Sequence, residues 1–435
     1  MIYINSNTYI PNVSETLGIL KTHNNMMPQF LDLDKIHQYI SYLTVEVSKI
    51  EGPLFEILKY DKIRETTIAD HMKNYIVSRN CASLFKKTSR GISLSKPSVE
   101  QAISSGLPEE VKLVVSTYQK YTGYLKTRTT LLSLLQNPVS NAYSFDNHRM
   151  LIVKPGWRAQ NTWRVAMFDP ALQNLPRLIQ DLQTVPKGWV LLHTDSGQIE
   201  PRIIYSNFIP DPQIKALILL YDDAYFGVLH YVTMSEEDII SNRMEFTPFE
   251  ITEELKNKRK KIKTYNNAVM YGSKSNTEND PIKDALIRRI GQHPLRLRWV
   301  DDVTQKINHG ERVFKTAFGT GINISNSDKL NDIEDAESEQ YELVKLAINN
   351  PIQGTAADLM RVSVSTANAL LMSKSKKSYI INYVHDAGSF AIHEDEYDIL
   401  ANELSTIVEY KVDGWLPIKA EPEFGRNGGM FADLY

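Results

Sequence analysis

The chain has 435 residues, of which 42% are hydrophobic and 23% charged, and a formal net charge of −3. This is an ordinary globular composition, long enough for two or three subdomains. It excludes a molecule that is basic overall, so any nucleic-acid surface must be local. A single cysteine, Cys81, excludes an internal disulfide framework and Cys-rich zinc sites, and fits a reducing, intracellular setting.

The first residues, Met-Ile-Tyr-Ile-Asn-Ser, show no basic segment followed by an apolar run, so no signal peptide is expected. The most apolar stretch, Ile214 to Tyr221, is too short to cross a bilayer. A cytoplasmic protein without membrane association is the expectation. Residues 1–27 are polar and weakly patterned, and read as an extension or a small edge element. From Leu31 to Val77 apolar residues recur at helical spacing (Ile36, Ile40, Leu43, Val47, Ile50), and Gly52-Pro53 predicts a break followed by a second helix. Ser98 to Leu135 predicts two more helices, the second carrying Lys112, Lys120, Lys126 and Arg128. Residues 28–135 thus read as a helical subdomain with basic faces, suited to phosphate contacts.

Strand-like runs then appear at Met150–Val153, Arg164–Met167 and Trp189 to Asp195. Residues 206–347 return to helical patterns, with a capping-box form at Thr247-Pro248-Phe249-Glu250. A long helix is expected from Asn349 past Asp358. A hairpin follows over Ser378 to His393 with its turn at His385-Asp386, then a helix around Tyr397–Tyr410 and a strand near Ile418–Glu421. Helices, sheet, helices, sheet: the order predicts an α+β architecture, one sheet platform interrupted by a helical insertion.

Two acids sit at strand ends. Asp195 closes a buried apolar run, and Asp386 lies in a tight turn. A carboxylate there either caps the next element or meets a cation. Oxygen donors without a Cys or His cluster favour Mg²⁺ or Mn²⁺. Two such ions about 4 Å apart clamp the attacking and leaving oxygens of an in-line phosphoryl displacement. Arg259, Lys263, Asn267 and Tyr271 are spaced four apart. On a helix they drift by only about 40° per step and form one slowly winding stripe. An Arg and a Lys one turn apart suit triphosphate oxygens; a solvated surface helix has the same look.

These stretches resemble the motifs of a family A DNA polymerase, the bacterial DNA polymerase I type. Asp195-Ser-Gly-Gln-Ile-Glu-Pro-Arg202 resembles motif A, D-Y-S-Q-I-E-L-R. Arg259 to Gly272 resembles motif B, R-x3-K-x3-F-x3-Y-G, and Val384-His-Asp386 resembles motif C, V-H-D-E. Thr162 to Pro176 follows T-G-R-x5-P-N-L-Q-N-I-P, and Asn349 to Asp358 follows N-x-P-x-Q-G-T-A-A-D. The five motifs keep the family's order over roughly residues 28–435.

The resemblance implies a right-hand polymerase fold: an antiparallel-sheet palm with helical fingers and a helical thumb. It implies a polymerase-only chain with an N-terminal extension over 1–27, thumb and palm-entry helices over 28–135, palm over 136–205 and 348–435, and fingers over 206–347. Asp195, Asp386 and the backbone carbonyl of Ser196 would hold two Mg²⁺ ions, with Mn²⁺ as a substitute. Arg259 and Lys263 would bind the phosphates of the incoming dNTP, and Lys263 would also donate a proton to pyrophosphate. Glu200 would exclude a ribose 2′-hydroxyl, and Tyr271 would guard the templating position. Gln198, Tyr225 and Asn267 join the nucleotide-binding set. Arg164, Gln173, Asn174, Arg202, Asn349, Gln353 and His385 would contact primer-template DNA.

The implied activity is template-directed addition of dNTPs to a primer 3′-hydroxyl by a monomer, in DNA replication. With about 27 residues before the thumb, proofreading in cis is not expected; a separate exonuclease or replisome protein and a phage setting are. The alternatives are an inactive polymerase-like protein that binds primer-template, and a relative of the single-subunit RNA polymerases. Three departures stand out. Ala387 replaces the motif C Glu, Asn267 replaces a motif B aromatic ring, and Trp163 stands where the minor-groove motif has Gly.

Overall fold

The computed structural model describes residues 1–26, 28–61, 67–88, 91–136, 141–145, 148–174, 182–242, 244–272, 280–330, 333 and 335–425. Helix α1 (Leu33–Leu58) begins where the Asp32 side chain accepts a hydrogen bond from the Lys35 N–H. The predicted break at Gly52-Pro53 is absent: α1 runs through Pro53. An interior proline costs about 3 kcal/mol. Leu54 and Leu58 offset it, because both remain buried on the same stripe, each contributing about 1.5–3 kcal/mol. The stripe packs on helix α2 (Glu109–Gln136). With Met72, Ile76, Val111 and Val115 it forms a core separate from the main one.

The main core surrounds a four-stranded antiparallel sheet. Its strands are β1 (Trp189–Ser196), β2 (Tyr379–Val384), β3 (Ala387–His393) and β4 (Ala420–Gly425), in the order β2-β3-β1-β4. The predicted hairpin is β2–β3, and its turn residue His385 adopts φ 57°. The short C-terminal strand begins at Ala420, two residues beyond its expected start. Residues 1–26 are built into this region. Ile2–Ile4 pairs in parallel with Tyr410–Val412, and the helix Val13–Met26 sends His23 to Asn368 and to the Ile380 N–H.

Between β1 and β2 the described chain is mostly helical. Helix α3 (Ala224–Thr233) is capped by Asp223, which accepts from the Phe226 N–H. Helix α4 (Glu253–Met270) is capped by Thr252, not by Thr247 as the capping-box pattern predicts. The segment before it is held otherwise: Phe249 stacks on His230 at 4.2 Å, and its N–H donates to the Tyr221 hydroxyl. That packing outcompetes an earlier helix start.

Helix α5 (Ala336–Lys374) spans 39 residues and begins well before the expected Asn349. The expected boundary at 347/348 falls inside it. Its segment Gly354 to Asp358 anchors the hairpin of Val313–Lys315 and Gly321–Asn323. A β-carbon at Gly354 would lie 2.4 Å from Ile322 Cδ1, so any larger residue here would have to push the Ile322 and Thr316 side chains aside. The Ala317 N–H donates to Thr355 Oγ1. The buried Asp358 accepts from Thr316 and Thr320 hydroxyls and pairs with Arg361.

Candidate active site

Asp195 is the penultimate residue of β1, and Asp386 leads into β3. The Ser196 N–H donates to the Asp386 carbonyl at 2.9 Å, tying the two strand ends together. Asp195 Oδ1 is buried with no hydrogen-bond partner. Burial, then Asp386, then Glu421 push the Asp195 carboxyl well above the usual carboxylate range, against Lys263 and the Ser196 N–H. Burial also raises Asp386, against Arg164. Buried anions near one another, one with an orphaned oxygen, are relieved either by taking up a proton or by a bound cation, and the cation reverses these shifts. Among the described residues no three Asp, Glu, His or Cys side chains form a complete metal cluster. An ion here would need ligands beyond these side chains, such as backbone carbonyl, water or substrate oxygens, which suits Mg²⁺.

A cavity of about 230 Å³ joins both acids to Ser196, Gln198, Glu200, Tyr225, Arg259, Lys263, Asn267 and Glu421. The stripe on α4 thus faces the carboxylates. Arg259 is already engaged: its Nε and Nη2 donate to Asp223 Oδ2 at 2.9 and 2.6 Å. Its guanidinium lies 5.3 Å from the Tyr225 ring centroid and 5.5 Å from that of Phe226. Burial works against charged Asp223, but hydrogen bonds from Arg259 and the Phe226 N–H carry its pKa below the ordinary value. Gln198 spans to the same place, donating to Asp223 and accepting from the Ala224 N–H. Its side chain ties the end of β1 to α3. Asn267 Oδ1 is buried and without a partner.

Glu200 accepts from Arg164 Nη2 at 2.6 Å and from the Tyr271 hydroxyl at 3.2 Å. Arg164 and His385 line a small neighbouring pocket together. Burial, then Arg164, lower the His385 pKa, which favours its neutral form. Asn349 and Gln353 are hydrogen-bonded to each other one turn apart on α5. They line a different cavity, of about 490 Å³, with Arg158 to Thr162.

Two expected DNA contacts sit elsewhere. Arg202 is only 3% exposed, and its guanidinium donates to the Pro417 carbonyl and to Asp222. A buried Arg with these partners braces the fold, which corrects the expectation for this residue. Gln173 accepts from the Met167 N–H at 2.6 Å and fixes its own loop. The Asn174 side chain lies outside the described residues. Trp163 takes φ 61° in the place of a glycine, and its Nε1 donates to the Gly321 carbonyl. The sequence did not disclose that Asp223 pairs with Arg259, nor that Glu421 joins the site. The signals were an Asp directly before an apolar helix, and the alternation in Ala-Glu-Pro-Glu-Phe that puts Glu421 and Glu423 on one face.

The sequence model described as DNA polymerase family A matches residues 34–429. The chain belongs to DNA polymerase family A. It is 24% identical over 409 residues to the DNA polymerase I of Caldicellulosiruptor bescii, covering 91% of this chain and 44% of that protein. It is 23% identical over 367 residues to the DNA polymerase I of Pseudomonas aeruginosa, covering 79% and 36%. The DNA polymerase of Bacillus phage SP01 is 30% identical over 144 residues, 31% of this chain and 15% of that one. The chain thus spans less than half the length of these relatives. The fold is similar to the POL domain of Pol1 from M. smegmatis, solved in complex with DNA primer-template and dNTP. The TM-score is 0.72 at 19% identity, over 95% of this chain and 69% of that one. The right-hand α+β expectation is therefore met.

Proposed function

We propose that the chain is a template-directed DNA polymerase that adds dNTPs to a primer 3′-hydroxyl and releases pyrophosphate. The observation that carries this reading is one cavity holding Asp195, Asp386, Arg259 and Lys263 together. DNA binding alone requires no such set. Asp195 and Asp386, with the Ser196 carbonyl beside them, would hold two Mg²⁺ ions, Mn²⁺ substituting. Such ions, when bound, lower the pKa of the attacking hydroxyl and neutralise the leaving phosphates.

The chain's own residues do the rest. Arg259 and Lys263 would hold the triphosphate, and Lys263 would give a proton to the departing pyrophosphate. For Arg259 this means exchanging Asp223 for phosphate oxygens. Glu200, fixed on two sides, fills the space a ribose 2′-hydroxyl would need, which favours DNA over RNA synthesis. Tyr271 closes the template side. Arg164, His385, Asn349 and Gln353 border the two neighbouring pockets and would meet the primer-template there.

In this reading 28–135 is thumb, 136–205 and 348–435 are palm, and 206–347 are fingers. Residues 1–26 brace the palm. The proposed setting is the cytoplasm of a bacterial cell or a phage-infected host. Primer extension with Mg²⁺ and dNTPs, wild type beside D386A, tests the proposal. Extension by the wild type that D386A loses is expected. Retained primer-template binding without extension by the wild type would overturn it in favour of a binding protein.

A further inference from the structure

Asp195 has two neighbours across the sheet. On β3 its register partner is Ala387, and on β4 it is Glu421. Residues directly opposite one another in an antiparallel sheet project from the same face, with β-carbons about 4.5–5.5 Å apart. Ala387, Asp195 and Glu421 therefore form one row. Position 387 is where the motif resemblance leads one to expect an acid and the chain has a methyl group. The acid is instead on the opposite neighbour.

Two further observations place this carboxylate. Glu421 borders the same cavity as Asp195, Asp386 and Lys263. A β-carbon built on Gly197 would lie 2.5 Å from Glu421 Oε1, so the carboxylate rests over the backbone that follows Asp195. A side chain at 197 would displace it.

The geometry points to Glu421, on β4, as the third carboxylate of the two-ion site. The inference rests on the polymerase reading. Glu421 is exposed, and the described acids do not close on one ion by themselves. Its part is that of a positioning residue: it accepts hydrogen bonds from the water shell, which Mg²⁺ retains in protein sites. Outer partners of this kind are typically worth about 10–100-fold in metal affinity. A solvated strand-edge glutamate would be worth nothing there.

The test is Mn²⁺ titration of the full chain, with free ion read by electron paramagnetic resonance. Wild type, E421Q, G197A, E423Q and the double variant E421Q/A387E are compared. Glu423 lies two residues along the same strand, opposite His193, and is the control. E421Q and G197A are each expected to weaken Mn²⁺ binding by about tenfold, E423Q to leave it unchanged, and A387E to restore it in the E421Q background. Binding by E421Q equal to wild type overturns the inference, as does equal weakening by E423Q or failure of A387E to restore. Absence of Mn²⁺ binding in the wild type overturns the polymerase reading instead, so the two failures are distinguishable. Melting curves of each variant establish that it is folded.

Discussion

Arg164 and Glu200 form an ion pair, 2.6 Å from Nη2 to Oε1, between a loop and a helix start that are 36 residues apart in sequence. Both side chains are largely buried, and the Tyr271 hydroxyl holds the second Glu200 oxygen. The carboxylate is thereby fixed in one rotamer. A rigid side chain excludes a competing hydroxyl better than a mobile one, because it cannot move aside. Glu200→Ala is expected to raise ribonucleotide incorporation relative to dNTP by about 100-fold, a difference of roughly 3 kcal/mol. Single-nucleotide extension with matched rNTP and dNTP reads this ratio; an unchanged ratio would remove Glu200 from sugar selection.

Asp223 occupies Arg259 before any substrate arrives. Asparagine caps a helix as well as aspartate, so Asp223→Asn removes the charge and keeps the start of α3. Freed of that competition, Arg259 should take triphosphate more readily. The expected outcome is a KM for dNTP lower by about three- to tenfold, with Arg259→Ala raising it by about 10–100-fold. Steady-state primer extension across a dNTP series separates the two.

Asp195 carries a pH signature. Its pKa is raised in the fold by burial, Asp386 and Glu421, so the folded state disfavours the charged form. The penalty is absent below the ordinary aspartate value of about 4 and grows as pH rises from there through the raised one. Without divalent ions, Asp195→Asn should be more stable than wild type at pH 8 by on the order of 2 kcal/mol, allowing for partial solvent access. The two should converge at pH 4. Mg²⁺ should stabilise wild type at pH 8 and leave the variant nearly unaffected. Thermal melts at both pH values, with and without Mg²⁺, check the sign.

Gly354 lets the hairpin of residues 313–323 close onto α5. An added methyl group would meet Ile322 Cδ1 at 2.4 Å and Thr316 Cγ2 at 2.8 Å. Gly354→Ala should therefore cost about 1–3 kcal/mol of stability, seen as a lower denaturant midpoint. Primer-template affinity should fall with it, because Gln353 precedes this glycine on the same helix.

Asn267 leaves a buried carbonyl oxygen unpaired beside the cavity. Asn267→Phe replaces that group with a ring able to pack on a base or sugar, which is worth about 1–3 kcal/mol where stacking occurs. A KM for dNTP lower by about tenfold is expected from the same extension assay.

By itself the sequence determined the α+β class, the β2–β3 hairpin with Asp386 in its turn, the long helix α5, and the stripe from Arg259 to Tyr271. Each of these rests on short-range periodicity or on residue order, which a chain displays before it folds. It could not tell that Pro53 lies inside a helix, because the burial of Leu54 and Leu58 that outweighs the proline comes from α2. Nor could it tell that Thr252 rather than Thr247 caps α4, since the choice is made by His230 and Tyr221 packing from elsewhere. Arg202 looked available and is instead enclosed by Pro417 and Asp222, more than two hundred and about twenty residues away. The pairing of Arg259 with Asp223 and the row of Ala387, Asp195 and Glu421 were decided by tertiary structure alone. Charge and register act through space, and the sheet brings together positions that the chain order keeps apart.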